Sequence, residues 1–189
     1  RNLIMDELLD IVDQDGRPTG KTALKSEAHS RGLYHNTIHL WLYTNNRTIL
    51  LQQRSHKKKI YPLLWDVSVA GHIDAGESFV SAALRETREE IGLELQPKNL
   101  EHIGTFLHKT SYDNGRIQDN EFHQVFIAEL TEPMRNLTIQ NDEVEALKLV
   151  SFTEFQTLLK HSNLNNHFIA SNSSYYKFIL KKIIEKSNV

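Results

Sequence analysis

Three glutamates stand closest together in this chain in a way that could do chemistry. Glu86, Glu89 and Glu90 lie in the run ALRETREEIGL, and on a helix positions i, i+3 and i+4 share one face. Their carboxylates would crowd together, at a cost of roughly a few tenths of a kcal/mol per like-charged pair. A plain solvated acidic face accounts for such a pattern. So does a divalent cation such as Mg²⁺ or Mn²⁺, which takes oxygen ligands. Arg85 sits four residues before Glu89, and Glu77 comes just ahead of the helix, so both predict ion pairs that hold carboxylates in place. Ser78 is the expected N-cap. Ala82, Ala83 and Ile91 contribute to an apolar stripe, and Gly92 suits the stop.

The spacing is more specific than the carboxylates alone. Gly71, Glu77, Arg85-Glu86, Glu89-Glu90 and Gly92-Leu93 fall at the intervals G-x5-E-x7-R-E-U-x-E-E-x-G-U. This segment resembles the signature of the Nudix hydrolases, with Thr87 at the first apolar position as the one departure. The resemblance implies that Glu86, Glu89 and Glu90, with the Gly71 carbonyl, hold Mg²⁺ or Mn²⁺. It also implies that Glu77 and Arg85 position the ligand helix. The expected reaction is hydrolysis of a P–O–P bond in a nucleoside diphosphate linked to another moiety, or in a related organic diphosphate.

The segments LLQQRSHKK and WDVSVAGHIDAGES are similar to the Nudix branch that contains type I isopentenyl-diphosphate isomerase. Where that branch carries a catalytic cysteine, this chain has Val69-Ala70-Gly71-His72, and alanine is neither an acid nor a nucleophile. His35 and His72 match metal-ligand positions of the isomerases, and Asp119 and Glu121 match their acidic pair. The full R-E-U-x-E-E set favours hydrolysis over isomerisation. An isomerase-like activity and a non-catalytic Nudix-fold binding or regulatory module are the alternatives.

Further candidates lie outside the box. Glu121, at a strand start, is an expected extra metal ligand. Glu143 falls in NDEVEALKL, where many Nudix enzymes keep a general base, and Glu145 is its alternate. Arg54, His35 and His72 are expected at the substrate. Lys57–Lys59 read as a solvated loop, and Trp41 and Trp65 as packing.

The remaining chain must position these groups. Glu7–Val12 and Arg17–Leu24 flank Asp15-Gly16 as a hairpin, followed by a short helix over Lys25–Arg31. Tyr34–Tyr43 and Thr48–Arg54 read as strands, and Trp65–Ala70 as the strand that leads into Gly71. Leu100–His108, Glu121–Leu130 and Val144–Val150 are further strands, with Lys109–Asn120 a polar connection turning at Asn114-Gly115. Helices are expected over Phe152–Leu159 and Tyr175–Lys186. Strands interleaved with helices indicate an α/β/α sandwich around a mixed sheet, which is also what the resemblance implies. Residues 1–32 are expected as a hairpin extension packed on the domain, 33–165 as the Nudix domain, and 166–189 as its C-terminal helix.

The 189 residues carry 22 Lys and Arg against 24 Asp and Glu, with no cysteine. That balance argues against bulk nucleic acid as a partner, and the missing thiols exclude disulfides and cysteine catalysis. No apolar run reaches the roughly 20 residues of a membrane helix. A cytoplasmic protein acting on a small-molecule diphosphate is the expectation. Dimers among relatives make a homodimer the assembly that the resemblance implies. With Met5 close behind Arg1, the first four residues read as vector-derived or as an alternative start.

Overall fold

The computed structural model describes residues 5–188, so the reading of Met5 as a start rests on residues outside it. The central strand β3 (His35–Thr44) organises the sheet. Its alternation sends Ile38, Leu40 and Leu42 to one face and Thr37, His39, Trp41 and Tyr43 to the other. Both faces are covered, so both sets are buried.

β3 pairs in parallel with β8 (Ile117–Glu129), from His35 opposite Glu121 to Tyr43 opposite Glu129. It pairs antiparallel with β6 (Val69–His72), placing Ile38 opposite Gly71 and His39 opposite Ala70. With β4 (Thr48–Arg54) it pairs only at the hairpin end, Tyr43 to Ile49 and Thr44 to Thr48. The two strands then splay, β6 following β3 while β5 (Trp65–Asp66) and β9 (Val144–Ser151) follow β4. β7 (Glu101–Tyr112) completes the far side against β8. The sheet is therefore mixed.

On one face lies α2 (Phe79–Ile91), whose Ala82, Ala83 and Ile91 pack on Ile38, Leu40, Leu42, Leu50 and Val69. On the other lie α3 (Phe152–Lys160) and α4 (Ser173–Ser187), which close over Trp41, Leu51, Val125 and Ile127 through Phe155, Tyr175, Tyr176, Ile179 and Ile183. Each large side chain so enclosed contributes roughly 1.5–3 kcal/mol. The result is the expected sandwich around a mixed sheet.

Two sequence expectations are corrected. The polar run Lys109–Asn120 is not a loop: Lys109 to Tyr112 pair with Asn120 to Ile117, so the β7–β8 ladder continues to the Asn114-Gly115 turn. Ladder bonds are made by backbone, and an apolar count cannot see them. Conversely, the strand expected over Trp65–Ala70 breaks into β5 and β6, because its first part pairs with β4 and its second with β3.

The N-terminal hairpin, β1 (Leu8–Val12) and β2 (Pro18–Leu24), joins the same sheet through Ile11 opposite His35. It also grips the loop after β6, where Ala75 N–H donates to Leu8 O and Gly76 N–H to the Asp10 carboxylate. α1 (Lys25–Arg31) follows and stops at Gly32 with φ of 65°, a left-handed value natural to glycine.

Candidate functional site

Helix α2 begins as its sequence dictates. Ser78 accepts a hydrogen bond from Ser81 N–H at 3.1 Å, and Gly92 ends the helix at φ 67°. Gly71 on β6 faces α2, with the Glu86 carboxyl lying directly over it. A Cβ at position 71 would fall 2.2 Å from Glu86 Cδ, so only glycine admits that approach.

Arg85 gathers the acidic groups. Its Nε and Nη2 donate to the two Glu77 oxygens, both at 2.9 Å; Nη1 reaches Glu86 at 2.9 Å and Glu89 at 3.3 Å; Nη2 also donates to the His72 carbonyl at 3.0 Å. A planar guanidinium alone among side chains serves so many acceptors at once. Both ion pairs expected from the sequence are present.

The three helix glutamates have different surroundings. Glu90 is buried and accepts from Gln52 Nε2 at 2.7 Å and from Ala70 N–H at 3.4 Å. Burial, then Glu86, pushes its carboxyl up to about 8. Burial pushes Glu86 up to about 7 against the pull of Arg85. Glu89 is half exposed on Arg85. A separate group of potential metal ligands also converges.

That other group is made of His29, His35, His72 and Glu121, whose ligand atoms all lie within 4.8 Å of one another. His35 Nε2 and His72 Nε2 each stand 3.5 Å from Glu121 Oε1, and His29 Nε2 stands 3.8 Å from it and 3.2 Å from Asp119 Oδ1. The three Nε2 atoms and Asp119 Oδ1 are sealed from water without a hydrogen-bond partner. Buried polar atoms seldom go unpaired, so this convergence fits a cation. His35 is oriented for it, since Nδ1 lies 2.9 Å from the Leu33 carbonyl and must donate, leaving the Nε2 lone pair inward. Burial alone would raise Glu121, yet the imidazoles of His29, His35 and His72 converging on it hold it well below the carboxylate range. Asp119 is pushed up by burial and by Glu121 beside it.

The remaining expected residues are also located. Arg54 is braced by the Ile60 and Tyr61 carbonyls, with Nη2 2.8 Å from Ile60 O, and its charge is felt by His39 and Asp119. Glu143 is tied to Lys58 at 2.5 Å and is near enough to Glu90 to raise it. Glu145 turns outward to His56 at 2.8 Å. Lys57 pairs with Asp142, on a loop exposed as expected. Trp41 is core, and Trp65 is partly buried beneath Lys148, whose Nζ lies 4.2 Å from its ring centroid.

Sequence reasoning passed over His29, Gln52 and Glu7. His29 sits on α1, six residues before His35 and in a chain of ten histidines, where spacing gives no sign of convergence. Gln52 looks like one more polar strand residue. Glu7 Oε2 lies 3.5 Å from His72 Nδ1 and 3.1 Å from Lys25 Nζ, a meeting made by the hairpin fold.

The family model for the NUDIX domain matches residues 33–171. The chain is 34% identical to Nudix hydrolase 3 of Arabidopsis thaliana over 157 residues, 82% of this chain and 20% of that protein. It thus spans about a fifth of that relative's length. It is 32% identical to an uncharacterized Nudix hydrolase of Clostridium acetobutylicum, covering 97% of this chain and 89% of the relative. It is 31% identical to isopentenyl-diphosphate Delta-isomerase 2 of Photorhabdus laumondii, covering 84% and 85%. A Deinococcus radiodurans crystal structure superposes with a TM-score of 0.68 over 90% of this chain and 98% of that one, and at 17% identity the likeness is one of fold. No helix among the described residues is long and apolar enough to cross a membrane. With the box complete in its spacing and the family model matching residues 33–171, the chain belongs to the Nudix family, on the branch it shares with the isopentenyl-diphosphate isomerases.

Proposed function

We propose that this protein hydrolyses the P–O–P bond of an organic diphosphate, a nucleoside diphosphate joined to another moiety being the expected class, with Mg²⁺ or Mn²⁺ as cofactor. The observation that carries the reading is the pair of carboxylates Glu86, partly buried, and Glu90, buried, each pushed up toward neutrality and served by positioned donors. A buried acid raised further by a neighbouring acid is costly unless a cation offsets the pair. Glu86, Glu89, Glu90 and the Gly71 carbonyl would hold the ion. Such an ion supplies charge neutralisation at the diphosphate and a lowered pKa for bound water.

The chain's own groups do the rest. Arg85, anchored on Glu77, fixes Glu86 and Glu89 against the end of β6. Gln52 holds Glu90 through one oxygen and leaves the other free. Glu143, whose charge raises Glu90 and which pairs with Lys58, is the residue we assign as base that takes the proton of the attacking water. Arg54 supplies a fixed positive charge for phosphate oxygens. His29, His35, His72 and Glu121 would hold a second cation, and their mixed nitrogen and oxygen donors suit Mn²⁺ or Zn²⁺ better than Mg²⁺.

Isomerisation of a prenyl diphosphate is the second reading, favoured by that histidine cluster and opposed by Ala70. A panel of nucleotide sugars, dinucleotides, nucleoside diphosphates and prenyl diphosphates, assayed with Mg²⁺ and with Mn²⁺, tests both. Metal-dependent release of a monophosphate is expected. An allylic product without phosphate release would replace the reading with the second. A wholly silent panel would leave a binding module.

A further inference from the structure

The sheet face opposite α2 carries polar atoms that the proposed chemistry does not use. Ala70 lies opposite His39 in the β6–β3 register, and Thr37 lies opposite His123 in the β3–β8 register. The rings of His39 and His123 stack at 3.9 Å with 20° between their planes, and His108 lies 5.5 Å beyond His123. Both stacked histidines spend Nδ1 inside the protein: His39 on Tyr175 Oη at 2.6 Å, His123 on Thr37 Oγ1 at 2.7 Å.

The hydrogen on His39 can be placed. Trp41 Nε1 lies 2.9 Å from Tyr175 Oη, and an indole N–H can only donate. The phenol hydrogen therefore goes to His39 Nδ1, and His39 carries its own hydrogen on Nε2. Burial and the neighbouring His123 hold His39 well below the usual histidine range, which agrees with a neutral ring. Neither His39 Nε2 nor His123 Nε2 has a hydrogen-bond partner among the described residues. They also differ from the Nε2 atoms of His29, His35 and His72, which are sealed from water. Two rings only 9% and 6% exposed thus turn an unpaired polar edge toward solvent. Ala70 beside them is small, and the charge of Arg54 reaches His39.

We propose that the His39–His123 pair is the subsite for the group attached to the diphosphate, and that it selects a neutral hydrogen-bonding group, a sugar or a nucleobase, over a hydrocarbon. This rests on the reading of the chain as a diphosphate hydrolase. A donor fixed in a buried wall is satisfied by a carbonyl or hydroxyl oxygen and left unpaired by an alkyl chain, and sites built to hydrogen-bond a substrate reject analogues lacking the partner. Tyr175 and Trp41 act through His39, as positioning residues.

The test is calorimetric titration of the wild-type protein, with Mg²⁺ present, using uncleavable compounds: methylenediphosphonate alone, and α,β-methylene analogues of a nucleoside diphosphate, of ribose 5-diphosphate and of geranyl diphosphate. The polar-headed analogues are expected to bind at least about tenfold more tightly than the bare diphosphonate. His39→Leu should remove that gain, leave the bare diphosphonate unchanged and favour the geranyl analogue. Tyr175→Phe frees Nδ1 and gives a second route should His39→Leu fold poorly; it should lower polar-head affinity and change the His39 tautomer seen by ¹⁵N NMR. A nucleoside analogue tighter than the ribose one assigns the base as the recognised group, and equal affinities assign the sugar.

A geranyl analogue bound as tightly as the polar ones overturns the proposal, as does a His39→Leu loss equal for all four compounds. Head-group discrimination without hydrolysis of any diphosphate would sink the hydrolase reading and leave the subsite standing. Hydrolysis without discrimination would do the reverse.

Discussion

The α-carbon of Gly71 lies against the carboxyl of Glu86, so close that a methyl group there would sit 2.2 Å from Cδ. Strand β6 and helix α2 meet at that point, which puts the Gly71 backbone and a partly buried acid into one site. Gly71→Ala should therefore push Glu86 off its position. We expect turnover to fall about 100-fold, in line with misplaced catalytic groups, while circular dichroism stays native. Turnover within about twofold of wild type would show that Glu86 does not need this contact.

Glu90 is expected to matter chemically and to be costly structurally. Glu90→Gln keeps the shape and removes a buried acid, so activity should drop by roughly 10²–10³, the scale of losing one electrostatic stabiliser. At pH 8 the metal-free variant should be at least as stable as wild type. Thermal denaturation and steady-state rates measured on one preparation check both halves. Normal turnover would remove the proposed site.

The pH dependence follows from the same acids. Glu86 and Glu90 sit at about 7 and about 8 in the folded chain, against 4.5 for an ordinary glutamate, and partly buried Asp66 at about 6 against 3.8. Their folded values are raised, so the unfolded chain gives up these protons first. Stability is then greatest below about pH 4 for these groups and is lost as pH climbs through 6 to 8. Metal-free protein should lose on the order of a few kcal/mol between pH 5 and pH 8.5, measured by urea denaturation. Mg²⁺ should flatten the decline, and its binding should release protons near pH 7.5, detectable by calorimetry in buffers of different ionisation enthalpy. A flat profile without metal would contradict the burial of these acids.

Arg85→Lys tests the fork. Lysine keeps the charge but cannot hold both Glu77 oxygens and reach Glu86 and Glu89 as well. Activity should fall at least about tenfold, with weaker Mn²⁺ binding by electron paramagnetic resonance. Unchanged Mn²⁺ binding would show that Glu77 and Arg85 do not position the metal ligands.

The histidine cluster gives a prediction independent of the box. His29→Ala removes one converging nitrogen and should lower affinity for Zn²⁺ or Mn²⁺ by roughly 10- to 100-fold. Equal metal content in wild type and variant, read by elemental analysis after dialysis, would dismiss a cation there.

The box was legible because its chemistry is local. Gly71 through Leu93 form one strand end, one turn and one helix, and spacing along 23 residues fixes which side chains meet. Ser78, Gly92, the Arg85 ion pairs and the alternation of β3 could be read for the same reason. Even here Glu89 departs from its neighbours, staying half exposed on Arg85.

What the chain's order could not show is what long-range pairing brings together. Glu7, His29, His35, His72 and Glu121 come from five separate stretches, and the parallel register of β3 with β8 sets His35 opposite Glu121. His39 and His123 stack across 84 positions for that same reason, beneath a helix near the C-terminus. Local pattern determines the fold class and the ligand helix, since backbone periodicity is a property of neighbours. Which polar groups are sealed and which are left open depends on the surface that covers them, and that is settled only when the whole sheet closes.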